Sequence, residues 1–337
     1  MTPHPGRRRL LAAAGALALG GLAGCASLGA TGTAALRNAP PAGLPRRVEL
    51  GATPFHPQED YQCGPAALAM ALGAAGLATP PEQLGRQIFL PGREGTLQIE
   101  MLAGARRNGA LAIEIPGSLD ALLRETAAGQ PVVVLLNLGL SWAPSWHYAV
   151  VIGYDLDDGA FLLRSGPIER QVLPFETLER TWARGGNWAF VVLPPGKLAA
   201  SAGETQTTTA LVAFEKTAPP LRAATAYRSA LERWPGSLTL AMGLGNSLYK
   251  AGALPEAETV FKSAARRHDS AAAWNNLANL LLERGRLREA RDAAQKAVAL
   301  GGPTLDTAQD TLRQIEARLT ASASPRRKAP RDRAARR

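Results

Sequence analysis

Residues 58–76, QEDYQCGPAALAMALGAAG, decide how the first half of this chain is read. Pro65 suits a first helical turn, where its missing N–H would have had no partner, and Ala66 to Ala75 is strong helix former. The pattern predicts a buried helix with Cys63 at its N-terminus. Free N–H groups and the partial positive charge there favour a thiolate over a thiol, so the expectation is a Cys63 sulfur of lowered pKa, nucleophilic at neutral pH.

Such a thiol needs a base, and the chain has four histidines. His4 lies near the start, His268 in a helical region and His56 just before the cysteine, as a substrate-site or structural residue. His147 stands in SWHYAVVIGYD, 84 residues after Cys63. Apolar, β-branched runs predict strands over Tyr148–Tyr154, Pro131–Leu138, Ala160–Arg164 and Asn187–Leu193, so His147 opens a strand. Trp142, Trp146, Trp182 and Trp188 either line a groove or fill core, and core is the expectation.

The other cysteine is Cys25. Arg7-Arg8-Arg9 followed by an apolar run from Leu10 to Leu22 predicts an export signal, too short to span a bilayer comfortably. Leu22-Ala23-Gly24-Cys25 resembles the bacterial lipobox, which implies that Cys25 is acylated and opens the mature chain; the arginines also resemble a twin-arginine signal, and the export route stays open. Ala26 in place of an aspartate implies, by resemblance to sorting signals, an outer-membrane lipoprotein facing the periplasm. With Cys25 acylated, Cys63 has no disulfide partner within the chain and is either buried and inert or reactive and used.

The 337 residues, 46% hydrophobic and 20% charged, allow two domains. The net charge of +10 concentrates at the ends, with +3 in residues 1–24 and +6 from Ser324 onward, which leaves a nearly neutral body. The sequence gives no reason to expect nucleic acid as a partner; the proline-containing basic tail, 321–337, is expected to be disordered. The expected organisation is a signal over 1–24, a linker over 25–47, a first domain over 48–195, a linker over 196–203 and a helical domain over 204–320. In that last domain, segments starting at Ala224, Ala257 and Ala290 align at intervals of 33 residues. With Trp274, Leu277, Ala278, Leu281 and Gly285 on the preceding helix and turn, they resemble tetratricopeptide repeats, closed by a capping helix over Thr304–Thr320. That resemblance implies a protein partner held on a concave surface, or helices that only brace the first domain.

The order of a cysteine opening a buried helix and a histidine opening a strand of an antiparallel sheet resembles papain-like cysteine peptidases. The closest likeness is to the bacteriocin-leader-processing, or double-glycine, peptidase group. Gln58…Cys63-Gly64-Pro65-Ala66 and His147-Tyr148-Ala149-Val150-Val151-Ile152-Gly153-Tyr154 carry it, over 48–195. The fold class implied is an α+β papain-like domain, a helix packed on an antiparallel sheet, followed by all-α repeats. The resemblance makes Cys63 the nucleophile and His147 the base, with Gln58 and the Cys63 N–H donating to the oxyanion of a peptide or protein substrate. Four residues separate Gln58 from Cys63 where the family has five, and Gln62 is adjacent. The third member, usually aspartate or asparagine before proline, is matched by Ser165 in LLRSGP, with Asp155, Asp157 and Asp158 in the intervening turn as alternatives. A serine accepts a hydrogen bond but cannot offset imidazolium charge, which leaves a weaker enzyme, a dyad, or a catalytically silent adaptor. No metal-ligand cluster and no cofactor motif occurs; no phosphate-cradling loop is found, so the leader substrate of transporter-fused relatives is not carried over.

Overall fold

The computed structural model describes residues 31–57 and 62–323. Cys25, Gln58 and the basic tail from Ser324 lie outside the described residues. In chain order, α1 (Thr31–Asn38) and β1 (Arg47–Glu49) precede α2 (Cys63–Ala74), α3 (Pro81–Ile88) and α4 (Gln98–Arg107). Next come β2 (Leu111–Glu114), α5 (Leu119–Ala127), β3 (Val132–Asn137), β4 (Trp146–Asp155), β5 (Ala160–Ser165), β6 (Ile168–Pro174), α6 (Phe175–Ala183) and β7 (Ala189–Leu193). All pairings are antiparallel, in the order β2-β7-β3-β4-β5-β6, with β1 added to β4.

Both faces of the sheet are covered, which is why β3 is buried along its whole length rather than in alternation. On one face α2, buried continuously from Gly64 to Leu72, packs Leu68, Met70 and Leu72 among Val133, Val150, Ile152 and Phe190. The opposite face holds Val132, Val134, Val151, Phe161 and Leu163 under α1, α5 and α6. The strands Leu111–Glu114 and Ile168–Pro174 had no clear sequence signal: one is four residues long, the other an edge strand whose residues are mostly exposed.

Two segments expected as linkers are built into the body. Within 25–47, Gly32 and Thr33 at the start of α1 donate backbone N–H bonds of 2.7 and 2.9 Å to the Glu179 carboxylate, and Thr33 Oγ1 adds a third of 2.6 Å. A helix start leaves N–H groups without intrahelical acceptors, and a carboxylate satisfies them. Thr33 and Leu36 are buried as a result. Within 196–203, Ala200 N, Ser201 N and Ser201 Oγ donate to the fully buried Glu125, and Arg233 Nη1 donates to Ala199 O at 2.7 Å.

From there the chain is helical: α7 (Glu204–Glu215), α8 (Pro220–Arg233), α9 (Leu238–Lys250), α10 (Leu254–His268), α11 (Ala271–Glu283), α12 (Leu287–Leu300) and α13 (Leu305–Ala323). Each helix packs on the next, and the repeated alanines, such as Ala226, Ala264, Ala265, Ala293 and Ala294, are buried where neighbours approach closely. α7 lies against β2, so one apolar core runs from the sheet to Ile315.

Candidate active site

The nucleophile candidate sits at the first residue of α2, half-buried and free. Its neighbour must be glycine: a Cβ on Gly64 would stand 2.7 Å from Thr96 Cβ and Oγ1. Thr96 follows the short 3-10 turn Pro91–Arg93 and forms a lip over the helix start. Tyr148 OH donates to Thr96 O at 3.0 Å, which fastens that lip to β4 one residue beyond His147.

His147 Nε2 lies 2.9 Å from Ser165 Oγ. Val150 pairs with Arg164, so His147 on β4 and Ser165 on β5 are diagonal neighbours on one face. With Nε2–H donating to the serine, Nδ1 keeps its lone pair for a proton from the cleft. The aspartates named as alternatives are elsewhere. Asp155 ends β4, eight residues and about 26 Å of strand from His147. Its carboxylate accepts from Asp157 N at 2.9 Å and Asp158 N at 3.1 Å and pairs with Arg47 at 2.8 Å. Asp157 is engaged by Arg46.

The electrostatics correct one expectation. Burial pushes the Cys63 thiol up from its ordinary value, against the backbone N–H groups of Tyr148, Gly64 and Cys63 that favour the anion. The helix start is thus outweighed by desolvation. Burial also lowers His147 from 6.5. Both shifts favour a resting pair of neutral thiol and neutral imidazole, in which the histidine is free to act as a base at neutral pH.

Cys63 and His147 line one cavity of about 850 Å³, walled by Thr96, Leu97, Trp146 and Gly166. Beside it stands the hairpin that joins β3 to β4. Asn137 Oδ1 accepts from Gly139 N at 3.0 Å and Ser145 N at 2.9 Å, and Arg184 donates to Asn137 O, so the hairpin is pinned at its base. Its apolar side chains face solvent: Trp142 is 82% exposed and Trp146 55%, with Leu138 and Leu140 beside them and Leu97 and Ile99 exposed on α4 and its approach. The expectation of core is therefore wrong for Trp142 and Trp146, while Trp182 is buried. Trp188 is half-buried beside Tyr148 and Phe190. Hairpin tips satisfy their own backbone, which lets large apolar side chains remain outside the core without orphaning polar groups.

Gln58 lies outside the described residues. Gln62 is exposed at the start of α2, and its side chain makes no capping bond. Half-buried His56 leads into that segment. No group of three or more histidine, cysteine or carboxylate side chains suited to a metal occurs among the described residues. Thr96 and its lip gave no sequence signal, since only the folded chain brings them to Gly64.

Comparison with known proteins divides the chain in the same way. Residues 52–190 match the family model described as Peptidase_C39 like family, and 220–269 and 255–303 match a tetratricopeptide repeat model. A solved structure described as a C39-like peptidase from Bacillus anthracis is 21% identical, with a TM-score of 0.38, and covers 46% of this chain and 100% of its own. A double glycine motif protease from an AMS/PCAT transporter, solved with its leader peptide, is 20% identical, with a TM-score of 0.32, and covers 42% of this chain and 91% of its own. The Yersinia enterocolitica type III secretion translocator chaperone SycD is 16% identical, with a TM-score of 0.33, and covers 34% of this chain and 85% of its own. No curated protein matches. The chain thus carries a Peptidase_C39-like domain followed by tetratricopeptide repeats.

Proposed function

We propose that this protein is a membrane-anchored cysteine peptidase that cleaves a peptide or protein substrate through Cys63 and His147. The observation that carries the reading is a thiol at a helix start and a serine-bonded imidazole on the walls of one cavity. Sγ attacks the scissile carbonyl carbon while Nδ1 of His147 takes the thiol proton, and the carbonyl oxygen becomes an oxyanion beside the Cys63 N–H and, from the sequence resemblance, Gln58. Collapse breaks the C–N bond, and the imidazolium gives its proton to the leaving amine. Water, deprotonated by His147, then attacks the thioester, releasing the carboxylic acid and the thiol. The exposed apolar rim supports a polypeptide substrate with apolar side chains near the scissile bond.

The repeats are proposed to hold the substrate or a protein partner. Their helices line a cavity of about 470 Å³ with Asn246, Tyr249, Asn276, Glu283 and Arg318, a set that can bond a peptide backbone. Acylation of Cys25 would place the protein on the outer membrane, facing the periplasm. Because Thr31 starts a docked helix, only five residues then separate the body from the anchor, about 20 Å if fully extended.

The test is intact-mass analysis with a peptide library. Cleavage with a transient acyl adduct on Cys63, both lost in Cys63→Ala while the fold persists, is expected; full activity of Cys63→Ala would contradict the proposal. Membrane fractionation of Cys25→Ser tests the anchor, which predicts release from the membrane. A second reading, a silent adaptor, is favoured by the neutral Ser165 and the raised thiol pKa. It predicts partner binding that survives Cys63→Ala and no turnover of any peptide.

A further inference from the structure

Arg164 is an uncommon residue for its place, a guanidinium 5% exposed in an otherwise apolar strand. It precedes Ser165 on β5 and alternates to the opposite face, the α2 side, with Leu162. Among the described residues the carboxylate paired with it is that of Glu169, at 3.5 Å and on the surface. Burying a cation this way is costly unless its donors are used.

Backbone carbonyls from two segments use the two Nη groups, while Nε has no partner among the described residues. Nη2 donates to Thr53 O at 3.0 Å and Gly51 O at 3.2 Å, and the guanidinium stands 6.0 Å from the centre of the Phe55 ring. Nη1 donates to Glu169 O at 2.6 Å, in the strand that follows the cavity-lining turn Gly166-Pro167. The 51–55 turn in its place presses on α2: a Cβ on Gly73 would lie 2.7 Å from Pro54 Cγ. One side chain therefore reaches the nucleophile helix through Pro54, and the histidine through its neighbour Ser165.

We propose that Arg164 is a positioning residue that braces the helix carrying Cys63 against the strand that orients His147, and so sets the thiol–imidazole geometry. This rests on the reading of Cys63 and His147 as a reactive pair. A buried arginine confined to stabilisation would change the melting temperature and leave the chemistry of the pair alone. A brace must change the chemistry, because misplacement by about 1 Å costs on the order of a hundredfold in rate.

The experiment uses the full chain with Cys25→Ser, so that Cys63 is the only thiol, and follows iodoacetamide labelling against pH. Arg164→Lys keeps the charge but cannot span three carbonyls. The expected result is a tenfold or greater loss of labelling at pH 7, with the histidine-dependent part of the profile removed, in protein whose near-UV circular dichroism is unchanged. A folded Arg164→Lys chain with the parent profile overturns the proposal. Should Arg164→Lys not fold, Pro54→Ala loosens only the far arm and must lower the same part of the profile; an unchanged profile there counts equally against the brace. Hydrogen exchange separates this from failure of the peptidase reading. If the parent labels as an ordinary thiol, the reactive pair is wrong. The brace still requires that amides of 51–55 and 166–169 lose protection together in the variant, and loss at only one segment, or at neither, overturns it.

Discussion

Ser165 meets the His147 ring with a neutral hydroxyl, and that neutrality sets what His147 can do. A serine 2.9 Å away orients the ring but adds no charge to offset imidazolium, so burial alone decides the shift. Ser165→Asp is expected to move the acid limb of Cys63 labelling to higher pH, because a carboxylate favours the protonated ring. Ser165→Ala should leave the limb in place and lower the rate through lost orientation. Stability carries the same signature. The folded state holds His147 neutral below 6.5 while the unfolded chain protonates it near that value, so the unfolded state binds more protons and stability falls as pH drops from about 6.5 towards the folded pKa. Melting temperatures between pH 7 and 5 should fall less steeply in His147→Asn than in the parent; equal slopes would contradict the assignment. The positions of Cys63 and His147 could be read from local pattern, a Gly-Pro helix start and a β-branched run, whereas Ser165 was named only through the family resemblance, with the turn aspartates as alternatives. The sign of the Cys63 shift could not, because the helix-start effect is local and the burial that outweighs it comes from the sheet and the Thr96 lip.

At the level of elements, the strands that hold the site were legible where they are long and apolar, as β3 to β5 are. The short β2 and the exposed edge β6 were not, for want of any periodic signal. The segment Thr31–Asn38 was misread for a different reason: it buries only Thr33 and Leu36, and its anchoring carboxylate, Glu179, is 146 residues from Thr33. The hairpin between β3 and β4 is the element with the most specific consequence. Pinned at its base by Asn137 and Arg184, it carries the exposed Trp142 a few residues before Ser145 and Trp146, which line the cavity. Trp142→Ala should weaken an apolar peptide aldehyde by about tenfold while iodoacetamide labelling stays unchanged, as expected for a contact residue outside the reacting groups. Unchanged affinity for the aldehyde would remove the hairpin from the substrate path.

Across the whole molecule, the two domains are joined by a shared core rather than by a flexible strap. The composition of 196–203, small and polar, suggested a linker because its partners are remote in sequence: Glu125 lies 75 and 76 residues from Ala200 and Ser201. Glu125→Ala leaves two backbone N–H groups and a hydroxyl without their acceptor, at a cost of about 3 kcal/mol. The variant is expected to become sensitive to limited proteolysis within 194–203, and to lose the single thermal transition if the junction is what couples the domains; an unchanged digestion pattern would contradict the coupling. A rigid junction also means that whatever the repeats hold is kept at a fixed position relative to the thiol, the arrangement a capture-and-cleave protein needs.

The central claim is that His147 activates Cys63, and the pH dependence of Cys63 alkylation in the Cys25→Ser chain, with and without His147→Ala, tests it most directly. The account predicts a rate that rises through a limb below pH 6.5, where the lowered imidazole titrates, levels near neutrality, and loses that limb in His147→Ala. A parent profile that rises only in the alkaline range of an unassisted, buried thiol, and that His147→Ala leaves unchanged, would contradict it.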